Sequence, residues 1–169
     1  VSVKMKILHE GEVNRARYQP QNPFVVATRG PSEEVFVFDL SKHPSFPTEG
    51  KGFSPQHRLK GHTSEGYGLS WSPLTAGRLA TCGDDKKVIV WDVAGAGVEV
   101  APTAVFEGHQ AEVQDVAWHC SDPHMLGSVS SDKSLLLWDA RNPNGGKPAH
   151  ARADAHNADV NAIAFNPRQ

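Results

Sequence analysis

Short apolar runs, set between polar stretches rich in glycine and proline, carry the pattern of this chain. Three of them, Val35–Phe38, Val88–Trp91 and Leu135–Trp138, hold four apolar residues in a row, and each is closed by an aspartate. Runs of this length suit strands buried on both faces. Elsewhere the spacing is two: Ala16 and Tyr18, Leu69 and Trp71, Val116 and Trp118, Ile163 and Phe165. The pattern predicts first strands at about Val13–Tyr18, Gly66–Trp71, Val113–Trp118 and Val160–Phe165. Pro20, Pro73 or Pro167 follows most of them and cannot donate to a ladder. Second strands are expected at Phe24–Thr28, Arg78–Cys82 and Met125–Val129, third strands at the apolar runs, and a weaker fourth at segments such as Thr103–Phe106. No stretch has a convincing helical period.

The strands recur with a fixed punctuation. His9, His62, His109 and His156 are 53, 47 and 47 residues apart, and 29 residues beyond each of the first three stand Phe38-Asp39, Trp91-Asp92 and Trp138-Asp139. Four strands per unit, opened by Gly-His and closed by Trp-Asp, is the signature of a propeller blade. The chain therefore resembles a WD40 β-propeller, an all-β fold, with full matches at Gly61-His62/Trp91-Asp92 and Gly108-His109/Trp138-Asp139 and degenerate ones around His9 and Phe38. Repeats are expected at 9–60, with a long loop at 41–54, then at 61–107 and 108–154, with a further truncated one starting at 155–169. Val1–Leu8 reads as the last strand of a preceding blade. The 169 residues hold about three and a half such units, a slice of a larger ring that the resemblance makes seven-bladed.

Ten residues before each closing aromatic lies a hydroxyl, Thr28, Thr81 or Ser128, and six before it lies Asp85 or Asp132, with Ser32 in the first unit. A Ser, a His and an Asp could form a nucleophilic triad, but an enzyme needs one site and not one per blade. The recurrence favours a structural tetrad of His62, Thr81, Asp85 and Trp91, repeated as His109, Ser128, Asp132 and Trp138, because buried polar groups need partners. The chain is read as non-enzymatic.

Composition narrows the setting. With 38% apolar and 21% charged residues the chain can bury a core, and 17 basic against 19 acidic residues argue against a nucleic-acid coat. No apolar run approaches the roughly 20 residues needed to cross a bilayer, and no leader pattern opens the chain; it reads as soluble and unexported. Cys82 and Cys120 make no disulfide framework, which suits a reducing cytosol or nucleus, and both are read as packing residues. His43, His57, His119, His124 and His150 share no metal-ligand spacing. Asp84-Asp85 reads as a turn, and Gly95-Ala96-Gly97 as a loop with no phosphate-binding context. No cofactor and no metal are expected.

Against near-neutral overall charge, one column stands out. Three residues after each repeat histidine come Glu12, Glu65, Glu112 and Asp159, and two further on Asn14, Tyr67, Gln114 and Asn161. An acidic rim with hydrogen-bonding groups suits a Lys/Arg-rich peptide; the alternative is that exposed acids merely keep blade turns soluble.

The strings Glu12-to-Tyr18 and Glu65-to-Trp71, with Pro20-Gln21-Asn22-Pro23, Lys42-His43-Pro44-Ser45, Asp154-Ala155-His156 and Val160-Asn161, resemble the histone-binding, retinoblastoma-binding-protein-like WD40 family. The resemblance implies a nuclear scaffold or chaperone subunit of chromatin assembly, histone deacetylase, nucleosome-remodelling or Polycomb complexes. Its partners are then core histones and basic peptides of chromatin cofactors, with no sequence-specific nucleic acid and no membrane. The family's groove for a basic tail matches Glu12, Asn14, Glu65, Tyr67 and Asn161, with Trp71 in support. At Gln114 the family usually has Glu, and Glu112 can compensate. A second histone site, made in the family by an N-terminal helix and a late loop, matches nothing in these residues. The competing reading is a substrate receptor of a cullin-type ubiquitin ligase, through Trp138-Asp139-Ala140-Arg141 with Arg141 meeting the adaptor.

Overall fold

The structure is a computed structural model and describes residues 2–50, 52–142 and 147–168. Three sheets follow one another along the chain. The first contains β1 (Arg15–Gln19), β2 (Asn22–Arg29), β3 (Val35–Asp39) and β4 (His57–Leu59). Next come β5 (Leu69–Trp71), β6 (Arg78–Cys82) and β7 (Lys87–Asp92), then a two-residue strand β8 (Glu99–Val100) that leaves to join the first sheet, and β9 (Ala104–Glu107), which completes the second. The third holds β10 (Val113–Trp118), β11 (Met125–Ser130), β12 (Leu135–Asp139) and β13 (His150–Arg152). The fold is all-β, and the register repeats: Tyr18–Val26–Phe38, Trp71–Leu79–Trp91 and Trp118–Leu126–Trp138 are equivalent rows across the three sheets.

The continuous apolar runs of β3 and β7 are explained by burial on both faces, whereas on β12 Leu135 and Leu137 are half-buried. On β7, Ile89 and Trp91 pack with Ala27, Val35, Val37 and Leu59 of the first sheet, while Val88 and Val90 pack with Val113, Val116, Leu136 and Trp138 of the third. A strand buried on both sides has no polar face to alternate with. The first-strand tryptophans tie sheet to sheet: the Trp71 indole N–H donates to the Arg17 carbonyl at 2.9 Å, and that of Trp118 to the Ser70 carbonyl at 3.1 Å.

Several details differ from the sequence expectation. The first sheet carries a fifth strand, because β8 pairs parallel to β4, with Arg58 opposite Glu99 and Leu59 opposite Val100. This covers an edge that would otherwise present unpaired amides and carbonyls, and the ion pair of Lys60 with Glu99, at 2.5 Å, lies along it. Residues 2–8 form no strand; their link to the rest includes the Lys6 N–H bond to the Ser45 carbonyl. They meet a loop and not a sheet edge, and a strand needs a partner with free ladder groups. Val1 and Gln169 lie outside the described residues. The segment at Val160–Phe165 is likewise no ladder strand: its Val160 and Ile163 amides bond to the Ser130 carbonyl and the Asp115 carboxylate. The loop at 41–54, of which Lys51 is not described, starts in a 3-10 turn, Leu40–Lys42, capped by Asp39. It returns Phe53 into an aromatic group with Phe36, Phe38 and His9.

First strands also start later than expected in the first two sheets, and at β5 the reason is visible. The chain from Gly66 to Gly68 runs against the end of β6 and over Asp115, so a Cβ on Gly66 would collide with the Cys82 carbonyl and come within 2.7 Å of the Gly83 Cα. Backbone atoms cannot move aside cheaply. Gly66→Ala is expected to lower unfolding free energy by about 1–3 kcal/mol, the usual range for overpacking, read from a denaturant midpoint; an unchanged midpoint would refute this close approach.

Candidate functional site

Each of the second and third sheets contains one continuous chain of polar hydrogens. The Trp91 indole donates to the Thr81 hydroxyl at 2.8 Å, Thr81 lies 2.8 Å from His62 Nε2, and His62 Nδ1 lies 2.9 Å from Asp85. In the third sheet Trp138, Ser128, His109 and Asp132 repeat it at 2.8, 2.7 and 3.1 Å. The network assigns a neutral imidazole protonated on Nδ1, so each hydrogen meets one acceptor. Thr81 and Ser128 are fully buried, which keeps them from any substrate. The aspartates do a second job. Asp85 also accepts from the Thr63 and Lys87 amides, and Asp132 from those of Gln110 and Ser134. They thereby clasp turns whose tips, Lys86 and Lys133, take left-handed φ of 66° and 70°. In the first sheet His9 reaches Thr28 at 2.8 Å, but Phe38 replaces the indole and Phe53 packs beside the imidazole.

Because His62 and His109 anchor the loops that enter the first strands of the second and third sheets, Glu65 and Glu112 three residues later are anchored too. The Asp84 amide donates to the Glu65 carbonyl and the Ser131 amide to the Glu112 carbonyl, both at 3.0 Å. One residue on, Val113 donates to Gly83 of the second sheet at 3.1 Å and Val160 to Ser130 of the third at 3.2 Å, stitching neighbours together. In the first sheet the matching amide is missing, since the residue is Pro31, and Gly30 sits against the Glu12 carbonyl instead.

Glu65 and Glu112 bring two sheets to bear on Asp84, an exposed residue that the sequence suggested only as a turn. Partial burial, then the charges of Glu65 and Glu112, push the Asp84 carboxyl above the ordinary carboxylate range. No pattern signals it, because the third sheet has Ser131 in that place. Glu12, Glu112, Asp159 and Asn161 are exposed, Tyr67 is 46% exposed, and Asn14, Glu65 and Gln114 are half-buried. Asn14 donates to the Gly66 carbonyl of the next sheet at 3.3 Å, and Gln114 to the Ser131 hydroxyl at 3.0 Å. Trp71 is no part of this surface: it is 5% exposed and its indole is spent on the Arg17 carbonyl, so its support is to the sheet contact. Below the rim Arg15 of β1 meets Asp115 of β10 at 2.5 Å, and Asp115 also takes the Ile163 amide.

Of the other residues singled out, Cys82 is buried, with its thiol pushed far up by burial, and Cys120 is half-buried. His43 bonds to Gln56, His57 to the Gly97 carbonyl, and His119 caps Ser121 and Asp122. Arg141 is exposed, but its Nε and a terminal nitrogen bond both oxygens of Asp139, at 2.9 and 2.6 Å.

Residues 53–92 and 100–139 match the family described as "WD domain, G-beta repeat", WD40. Over 90 residues, 53% of this chain, the sequence is 57% identical to "Probable histone-binding protein rba-1" of Caenorhabditis elegans, of whose length that match spans 22%. A chain in the crystal structure of the mitotic checkpoint complex superposes with TM-score 0.72 at 23% identity, covering 91% of this chain and 40% of that one. That likeness bears on the fold.

Acid should unfold this chain through the tetrads. Burial, only partly offset by the aspartate hydrogen bond, holds His62 and His109 below the ordinary imidazole value. Burial opposes the charge on Asp85 and Asp132, but the His62 bond on the first and the Ser134 bonds on the second, with backbone amides, outweigh it and hold both low. For all four groups the unfolded state takes protons first as pH falls. Stability is therefore full above about pH 6.5, declines below it as unfolded histidines protonate, and falls again below about pH 4. Asp132→Ala, which orphans the Gln110 and Ser134 amide donors and leaves His109 Nδ1 with the Ser134 hydroxyl alone, is expected to cost about 1–3 kcal/mol and to flatten the limb below about pH 4; a parent unfolding midpoint independent of pH between 7 and 4, or an unchanged limb below 4 in the variant, would contradict this.

Proposed function

Starting from a chain that carries WD40 repeats, we propose that it is a non-enzymatic histone-binding scaffold whose rim of Glu12, Glu65, Asp84, Glu112 and Asp159 takes a Lys/Arg-rich histone tail or a similar basic peptide. The observation that carries the reading is that backbone bonds bring the Glu65 and Glu112 segments of adjacent sheets to residues 83–84, the Asp84 amide bonding the Glu65 carbonyl and the Val113 amide, next to Glu112, the Gly83 carbonyl. Converging carboxylates cost free energy in the empty protein, and a cationic ligand relieves that repulsion. Asn14, Tyr67, Gln114 and Asn161 stand two residues further on, able to bond a peptide main chain or side-chain amides. Gln114 offers no charge, and exposed Glu112 beside it supplies one. The similarity to the probable histone-binding protein of Caenorhabditis elegans supports the same ligand class. The work of such a scaffold is then nuclear, as a subunit of chromatin assembly, deacetylase, remodelling or Polycomb complexes.

The test is a titration of the intact protein with a basic histone-tail peptide. Single exposed ion pairs are weak, so Glu12→Gln with Glu65→Gln together is expected to reduce affinity about five- to tenfold at low ionic strength, with a shallower dependence on salt. Equal affinity of the double variant and the parent rules out the rim. Capture of a ubiquitin-ligase adaptor that is lost in Arg141→Ala would instead favour the receptor reading.

A further inference from the structure

Arg29, the last residue of β2, is fully buried. Its guanidinium donates to the Ser32 carbonyl at 2.6 Å, within its own sheet, and to the Ser64 carbonyl at 2.7 Å, in the loop entering the second sheet. Its Nε has no partner among the described residues. Space for the group exists because residue 83 is glycine: a Cβ there would lie 3.0 Å from the guanidinium. Buried cations are costly unless paired, and nothing in the blade requires one, since the equivalent positions of the second and third sheets are Cys82 and Val129.

What surrounds it is the rim. Ser64 directly precedes Glu65, whose carbonyl is bonded by Asp84, and two residues later stands Tyr67. We propose that Arg29 is the positioning residue of the peptide rim: from the first sheet it pins the Ser64 carbonyl of the second, and so fixes Glu65 and Tyr67 in place for a basic ligand. The pinning follows from the hydrogen bonds alone, and its consequence for a ligand rests on the peptide reading above. Electrostatics works in the same direction. Burial lowers the Arg29 pKa, while Asp85, Asp84 and Glu65 favour its charged form. In return Arg29 is the cation that counters Glu65, Glu112 and Asp85 around the Asp84 carboxyl. Arg15 cannot substitute, being committed to Asp115.

The full chain is compared with Arg29→Met, which keeps bulk without charge or donors, and Arg29→Lys, which keeps a charged donor. In the Met variant the Asp84 amide, held by Glu65, should exchange with solvent about tenfold faster, and the Asp84 carboxyl, followed by NMR, should titrate at higher pH. A basic histone-tail peptide should bind about tenfold more weakly, the equivalent of one lost charge-assisted hydrogen bond. Arg29→Lys should recover most of each effect. A folded Met variant with unchanged exchange and an unchanged Asp84 midpoint overturns the proposal, as does weaker binding without faster exchange. If Arg29→Met does not fold, Arg29→Gln replaces it, with the same expectations and the same overturning result. A parent chain that ignores the peptide removes the peptide reading, and exchange and titration then decide the role of Arg29 by themselves.

Discussion

Buried polar hydrogens need acceptors, and in the second and third sheets a line of four side chains running through the sheet supplies them. An indole feeds a hydroxyl, the hydroxyl an imidazole, and the imidazole a carboxylate that also clasps a turn. Remove one member and the others are left with unmet donors in a dry interior, at a cost well above the worth of one net hydrogen bond. The line joins the third strand, the second strand, the entering loop and the turn between the middle strands. It therefore orients the loops as well as the sheet.

The rim is a by-product of that orientation. A histidine held from below carries an acidic residue three positions on, and backbone bonds from Asp84, Ser131, Val113 and Val160 hold the column against its own repulsion. Tryptophans at the far ends of the first strands do the matching job between sheets, each donating to a carbonyl of the sheet before. A surface that gathers like charges is stable here because rigid, amply bonded backbone pays for it.

The first sheet shows what happens when the pattern degenerates. Without the turn aspartate and the tryptophan it relies on an aromatic group, with Arg58 5.3 and 5.1 Å from the Phe36 and Phe53 rings, and on the buried Arg29. The repeat logic could flag Ser32 and Phe38 as exceptions but could not say what replaced the missing contacts. Phe53 sits in a stretch that reads as plain surface loop, and Arg29 reads as an ordinary charged strand end. Trp71 shows the opposite limit: period-two alternation places it on a strand, yet only packing reveals that its indole turns to the neighbouring sheet.

Local order along the chain was decided by the sequence itself. Apolar runs of four, alternation by two, prolines after first strands and a histidine-to-aromatic interval kept at 29 residues specify strand type, repeat length and the partners of each tetrad, because these depend on short-range periodicity and on donor and acceptor counts. What only the tertiary structure decided are the meetings between units. The convergence of Glu65 and Glu112 on Asp84, the reach of Arg29 to Ser64, the Arg15–Asp115 pair across 100 positions and the parallel clip of β8 on β4 depend on how sheets stack. Stacking is set by side-chain volume and glycine clearance summed over two faces, and no single stretch of sequence contains that sum.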